Sequence, residues 1–179
     1  MNSTARRQLV DNIHAAPGKC VLAVTGGGIA VMTDLFLVPG ASRTVLEVTV
    51  PYGGQALGEL LGTTATSAVT LATSEAMARA CYQRAIRFAD DPAESLFGIA
   101  CTAALVTDRE RRGEDRACIA AHDGTTTRSF ELSLDKRRPD DDGQARIEQD
   151  RAVADEILVT IARAFGVPPV DGSANGPAR

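Results

Sequence analysis

The chain reads as an α/β protein, a three-layer α/β/α sandwich on a mixed β-sheet. Three observations predict this. Helical and strand patterns alternate from residue 3 to residue 107, which is how parallel strands are connected. Two further strand patterns then flank Asp123-Gly124, which predicts an antiparallel hairpin. Last comes a long amphipathic helix, so a mixed sheet has apolar cover for both faces.

Each element has a local reason. Residues 3–16 form a helix with Leu9, Val10 and Ile13 on one face, and Pro17-Gly18 stops it. "KCVLAVT" (19–25) is a short buried strand. After three glycines, residues 27–38 read as a buried helix ending before Pro39-Gly40. "SRTVLEVTV" (42–50) is β-branched and alternating, hence a strand that Pro51 ends. "GQALGELLG" (54–62) is a short helix with Gly62 as its C-cap. A Thr/Ala-rich connector covers 63–72. Ser74 is then expected to cap the helix "SEAMARACYQRAIRFA". "LFGIACTAALVT" (96–107) starts as a buried strand whose end the sequence leaves open. Charged loops at 108–116 and 136–144 bracket the hairpin. Residues 144–165 form the long helix, with Val153, Ile157, Leu158 and Ile161 facing inward. Residues 1–166 make one domain, and 167–179 are expected to be a disordered tail.

Composition narrows the function. Apolar residues make up 44% and charged residues 23%, as in soluble globular domains. Aromatics are 4% with no Trp, so stacking platforms for single-stranded nucleic acid are not expected. A formal charge of −4 argues against general attraction to nucleic acid or anionic membrane. No apolar run approaches the ~20 residues that span a bilayer, and the first residues lack a signal-peptide core. The cytoplasm is the expected location. Cys20, Cys81, Cys101 and Cys118 form no CxxC pair and read as buried small hydrophobes. His14 and His122 lie far apart. No metal site and no cofactor are expected.

Three segments carry candidate chemistry. Thr25-Gly26-Gly27-Gly28 ends a strand and starts a helix, where free amides and the helix dipole favour an anion. It matches neither GxGxxG nor GxxxxGK[ST], and a plain tight turn needing positive φ explains it equally well. "VPGASRT" places Ser42 and Arg43 after a Pro-Gly turn. "CTAALVTDRERRGEDR" puts Cys101 and Thr102 near a strand end, where open α/β sheets bind ligands. Arg109, Arg111, Arg112 and Arg116 follow and are suited to phosphate or carboxylate, or to pairing with the acids of their own loop.

Taken together, the landmarks resemble the CinA C-terminal domain family, whose catalytically competent members are nicotinamide-nucleotide amidohydrolases. "VTGGGIAVMTD" resembles the family's Ser-Cys-Thr-Gly-Gly segment and the Thr-Asp that follows. "VPGAS" resembles its Pro-Gly-Ser-Ser turn, "YGGQALGELLG" its Tyr-Ser-Asn-Glu-Ala-Lys-x-x-Leu-Leu-Gly, and "SEAMARA" its Ser-Glu helix start. The departures fall on the chemistry. The family's nucleophilic serine falls at Ala23, or at Val24 if the glycines slide by one. The glutamate before it falls at Leu22 or Ala23, and the base lysine at Leu57. Tyr52 is kept, and "CTAALVT" replaces a Gly-Ile-Ala-Gly-Pro loop. Groups that act as a unit fail together.

The resemblance therefore implies the fold, homo-oligomers and a nucleotide-shaped pocket, and not the amidohydrolase reaction. The expected ligand is a nucleotide or another phosphorylated small molecule, held by Thr25, Gly26, Gly27, Gly28, Ser42, Tyr52 and Arg109. The alternative is a divergent nicotinamide-nucleotide amidohydrolase, with Cys101 or Thr102 as nucleophile and Arg109 orienting the phosphate. A third reading is an oligomeric scaffold.

Overall fold

The computed structural model describes residues 1–63, 68–91, 93–109, 112–137 and 143–170. Five helices and five strands follow in the predicted order. They are α1 (Ser3–Ala15), β1 (Gly18–Thr25), α2 (Ala30–Leu37), β2 (Val45–Thr49), α3 (Gly54–Leu61), α4 (Leu71–Phe88), β3 (Ser95–Ala104), β4 (Arg116–His122), β5 (Thr127–Ser133) and α5 (Gln144–Ala164). A short 3-10 turn, Ala41–Arg43, precedes β2.

The sheet order is β2-β1-β3-β4-β5. The first three strands run parallel, and β4 and β5 return antiparallel as the predicted hairpin. Alternation along β1 divides its residues between two cores. Cys20, Leu22 and Val24 face Leu9 and Ile13 of α1, Val31 and Leu35 of α2, and Val153, Ile157, Leu158 and Ile161 of α5. Val21 and Ala23 face Leu57 of α3 and Met77, Ala78, Cys81 and Ala85 of α4. These are the three layers: α1, α2 and α5 on one face, α3 and α4 on the other. Each fully buried Leu or Ile in these layers contributes about 1.5–3 kcal/mol. All four cysteines are buried and free.

Some boundaries move, each for a physical reason. Helix α2 starts at Ala30, not 27, because Gly26 and Gly28 take φ of 80° and 83° and hold the chain out of the helical region. Helix α4 starts three residues before Ser74. Its N-cap is Thr70, whose hydroxyl accepts from the Thr73 amide at 3.1 Å, while the Ser74 hydroxyl turns back onto the Leu71 carbonyl. Gly62 is the left-handed C-cap of α3, as its place in the sequence demands. Val167 and Val170 pack against the α1/α2/α5 core. The rest of the expected tail, 171–179, and connector residues 64–67 lie outside the described residues. No helix among the described residues is long and apolar enough to cross a membrane.

An ionic cluster joins the three helices of the first layer. Asp155 of α5 accepts from Arg6 Nε at 2.7 Å and from the Met1 amino group at 2.8 Å. Arg151 reaches Asp34 of α2 through two bonds of 3.0 and 2.6 Å. Burial pushes the Asp155 carboxyl up, but the hydrogen bonds from Arg6 and Met1 outweigh it and the net shift is downward. A depressed carboxylate stabilises the fold above its unfolded value of about 3.9, and that stability is lost as the pH falls through the lower folded value. Neighbouring Glu156 is shifted up, by burial first, and contributes with the opposite sign. Melting temperatures taken from pH 6 downward are therefore expected to fall off below about pH 4. Asp155→Asn should flatten that acid limb relative to the parent, and an unchanged limb would show that the cluster does not set acid stability.

Candidate functional site

The glycine turn follows from the sheet. β1 and β3 lie in register, Thr25 beside Thr102, so residues 26–28 leave the sheet against the start of the chain that follows β3. There is almost no space there. A Cβ on Gly26 would stand 1.9 Å from the Ala103 carbonyl oxygen. One on Gly27 would meet Leu105 at 2.6 Å, and one on Gly28 would meet Ile157 at 2.6 Å. The three glycines are thus the condition for close packing of this turn.

The amides of the turn also have partners. Gly28 and Ile29 donate to Asp150 Oδ1 at 2.7 and 3.0 Å, and Ala30 donates to Asp150 Oδ2 at 3.0 Å. Two more α5 side chains hold the neighbouring backbone. Arg146 donates to the Val106 carbonyl at 2.7 Å and to the Gly26 carbonyl at 3.2 Å. Gln149 accepts from the Val106 amide at 2.7 Å and donates to Asp115 at 2.9 Å. Sequence reasoning missed Asp150, Arg146 and Gln149. The available signal was spacing: Arg146 and Asp150 stand on the same stripe of α5 as Val153 and Ile157, so their polar ends had to point inward.

Cys101 and Thr102 do not share a pocket. Adjacent strand residues point to opposite faces. Cys101 lies in the core beneath α5, with its sulfur 3.9 Å from the Gly27 carbonyl oxygen, and burial pushes its thiol far above the ordinary value. Full burial counts against Cys101 as a nucleophile, because the thiolate is the reactive form and a substrate has no access to the sulfur. Thr102 lies on the other face and is buried. Its hydroxyl donates to the Ala68 carbonyl at 2.8 Å.

Ala68 is one wall of an open pocket of about 540 Å³, lined further by Gly54, Gln55, Leu57, Gly58 and Thr63. The pocket lies along α3, on the face of the sheet that α3 and α4 cover. Leu57, the position the resemblance gives to the base lysine, belongs to the same buried cluster as Ala23, the position given to the nucleophile. Val24, the alternative position for the nucleophile, belongs to the opposite core, and both alternatives are fully buried and apolar. Gly53, the N-cap of α3, offers no side chain to the first amides, and a Cβ at Gly53 or Gly54 would meet nothing within 4 Å. Among the described residues the amino end of α3 is therefore open where that of α2 is filled. Tyr52, two-thirds exposed, stands just before it.

The other expected ligand residues scatter. Thr25 is buried on the α3/α4 side of the sheet. Ser42 is exposed in the 3-10 turn ahead of β2, and β2 begins opposite Cys20. Five residues of β1, about 16 Å at 3.3 Å per residue, separate that level from Thr25. Ser42 thus lies at the opposite end of the strands from Gly26–Gly28. Arg43 beside it donates to the His14 carbonyl at 3.1 Å. Arg109 is exposed, with its backbone carbonyl accepting from the Thr107 hydroxyl at 3.0 Å. Arg116 donates to the Val69 carbonyl at 3.0 Å, and Arg111 lies outside the described residues. Among the described residues no cluster of His, Cys, Asp and Glu suits a metal ion.

No family model matches the chain, and no curated protein sequence matches it. Solved structures do. The competence/damage-inducible protein CihA of Agrobacterium tumefaciens is 17% identical with a TM-score of 0.64, covering 90% of this chain and 92% of that one. A competence-damaged protein (CinA) superfamily protein of Klebsiella pneumoniae is 14% identical with a TM-score of 0.64, over 93% and 97% of the two chains. Another from Enterobacter cloacae is 16% identical with a TM-score of 0.63, over 92% and 95%. The chain has the fold of these CinA-superfamily structures.

Proposed function

We propose, from the fold shared with the CinA-superfamily structures, that this chain is a CinA-like domain that binds a nucleotide or another phosphorylated small molecule in the α3 pocket without hydrolysing it. One observation carries the reading. Among the described residues the amino end of α3 is uncapped and open, and Gly54 and Gln55, its first residues, line a pocket of about 540 Å³. That volume falls within the usual range for small-molecule sites, about 300–1,000 Å³. Free amides and the helix dipole favour a phosphate at this point. Gln55 and Thr63 are the polar residues of its lining, and Leu57 is an apolar one.

The absence of hydrolysis rests on Ala23, or Val24 in the alternative alignment, and on Leu57. An apolar pair has replaced the nucleophile and base positions together, and the Thr102 hydroxyl already donates to a carbonyl. Nucleophilic catalysis needs an activated group beside a base. The reading places the protein in the cytoplasm, in keeping with four free, buried thiols.

Calorimetry with nicotinamide mononucleotide and with inorganic phosphate tests the binding half. Saturable binding is expected for the parent. Gly54→Glu should weaken it by tenfold or more, because a carboxylate now occupies the place of the phosphate. The same change should leave the melting temperature level or slightly raised, since an acidic residue in a first helical turn is favourable by about 0.3–1 kcal/mol. Gly54→Ala should keep the affinity. Equal binding by the parent and Gly54→Glu would contradict the reading. An ammonia-release assay tests the second half: no product is expected, and release that disappears in Thr102→Ala would favour a divergent amidohydrolase instead.

A further inference from the structure

We propose that Asp150 is a built-in anion that fills the amino end of α2 and thereby excludes the phosphate of any ligand from the glycine turn. An anion is already held at this point. Three successive amides, those of Gly28, Ile29 and Ala30, converge on the two oxygens of one carboxylate at 2.7 to 3.0 Å. This is the donor set that a phosphate would use.

The carboxylate is delivered by a rigid element. Arg146, one turn earlier on α5, is bonded to the Gly26 and Val106 carbonyls, and Gln149 holds the Val106 amide. One and two turns later, Val153 and Ile157 are fully buried against the sheet and against Gly28. A tethered group of this kind acts at an effective concentration that a free ligand does not match. An incoming phosphate would have to displace Asp150 and then share the turn with its charge. Asp150 is thus a specificity determinant: it closes the amino end of α2 to anions, whereas among the described residues no side chain caps the amino end of α3. The inference holds whether or not the α3 pocket is occupied, so its failure and the failure of the binding reading are separable.

Chemical rescue tests it, with formate as the probe. Asp150→Ala removes the carboxylate and leaves a gap of formate size. Its melting temperature should fall by several degrees. Formate should restore at least half of that loss, while sodium chloride of equal ionic strength does not. The amide resonances of Gly28, Ile29 and Ala30 should move saturably with formate in Asp150→Ala and stay fixed in the parent. Rescue no better than chloride, or equal movement in the parent, would overturn the proposal. If Asp150→Ala does not fold, Asp150→Asn decides. It keeps the shape and loses the charge, and its amide group faces the Ala30 N–H. It should melt below the parent with those three amides shifted and no response to formate. Parental stability with unshifted amides would overturn the proposal.

Discussion

Gly98→Ala should destabilise the fold by about 3 kcal/mol or more, which lowers the melting temperature by roughly 6–12 °C in a chain of this size. Gly98 is buried in β3 beneath α4, and the helix lies on it at backbone contact. A Cβ there would stand 1.9 Å from the Ala78 carbonyl oxygen and 2.4 Å from the Tyr82 amide nitrogen. Both obstacles are backbone atoms in the middle of a helix, so no rotamer change relieves the overlap. The helix has to move off the sheet. The small residues along this contact, Ala78, Ala85 and Cys81 on α4 and Ala100 and Ala120 on the sheet, are consistent with so close an approach. A thermal melt and a denaturant titration measure the effect. A near-neutral result would mean that α4 has room to shift and that the close packing of this layer is not required.

Gly26→Ala should be comparably severe for two added reasons. The residue holds φ of 80°, which costs an L-residue roughly 1–2 kcal/mol. The new methyl would also overlap the Ala103 carbonyl oxygen at 1.9 Å. Together these give about 3–5 kcal/mol, at the upper end of single-residue effects. The comparison with Gly54→Ala is the informative one. Gly54 has ordinary φ and open space around its Cβ position, and alanine in a helix is favoured by roughly 0.5–1 kcal/mol. A large loss at Gly26 beside no loss at Gly54 would establish that the first glycine serves packing and the second leaves a surface open. Similar small effects at both would return the glycine turn to the role of a ligand cradle.

Much of this was legible in the sequence because local and tertiary preferences agreed. The alternation in "SRTVLEVTV", the stripe of Val153, Ile157 and Ile161, and Asp123-Gly124 between two strand patterns each admit one element, and their order admits few topologies. The candidate site was less legible, for three separate reasons. Thr25 to Gly28 offers the same local pattern to a phosphate and to a tight turn; the carboxylate that holds the amides of the turn, Asp150, lies more than 120 residues away in the chain. Cys101 and Thr102 were alternative nucleophiles near one strand end, although strand alternation sends them to opposite faces of the sheet. Ser42 was grouped with the glycines because it follows a Pro-Gly turn in "VPGAS", the stretch that resembles the family's Pro-Gly-Ser-Ser turn. Yet α2, eight residues and about 12 Å long, carries the chain back to the other end of the strands. The Thr70 cap was missed for a smaller reason: "TLATSE" contains three hydroxyl residues, Thr70, Thr73 and Ser74, and each suits a helix start.

Backbone amide spectra of the protein titrated with nicotinamide mononucleotide test the central claim most directly, since they report both helix ends at once. The predicted result is saturable movement of Gly53, Gly54 and Gln55, with Gly28, Ile29 and Ala30 unmoved. Movement confined to Gly28–Ala30, or no movement at either helix end at millimolar ligand, would contradict it.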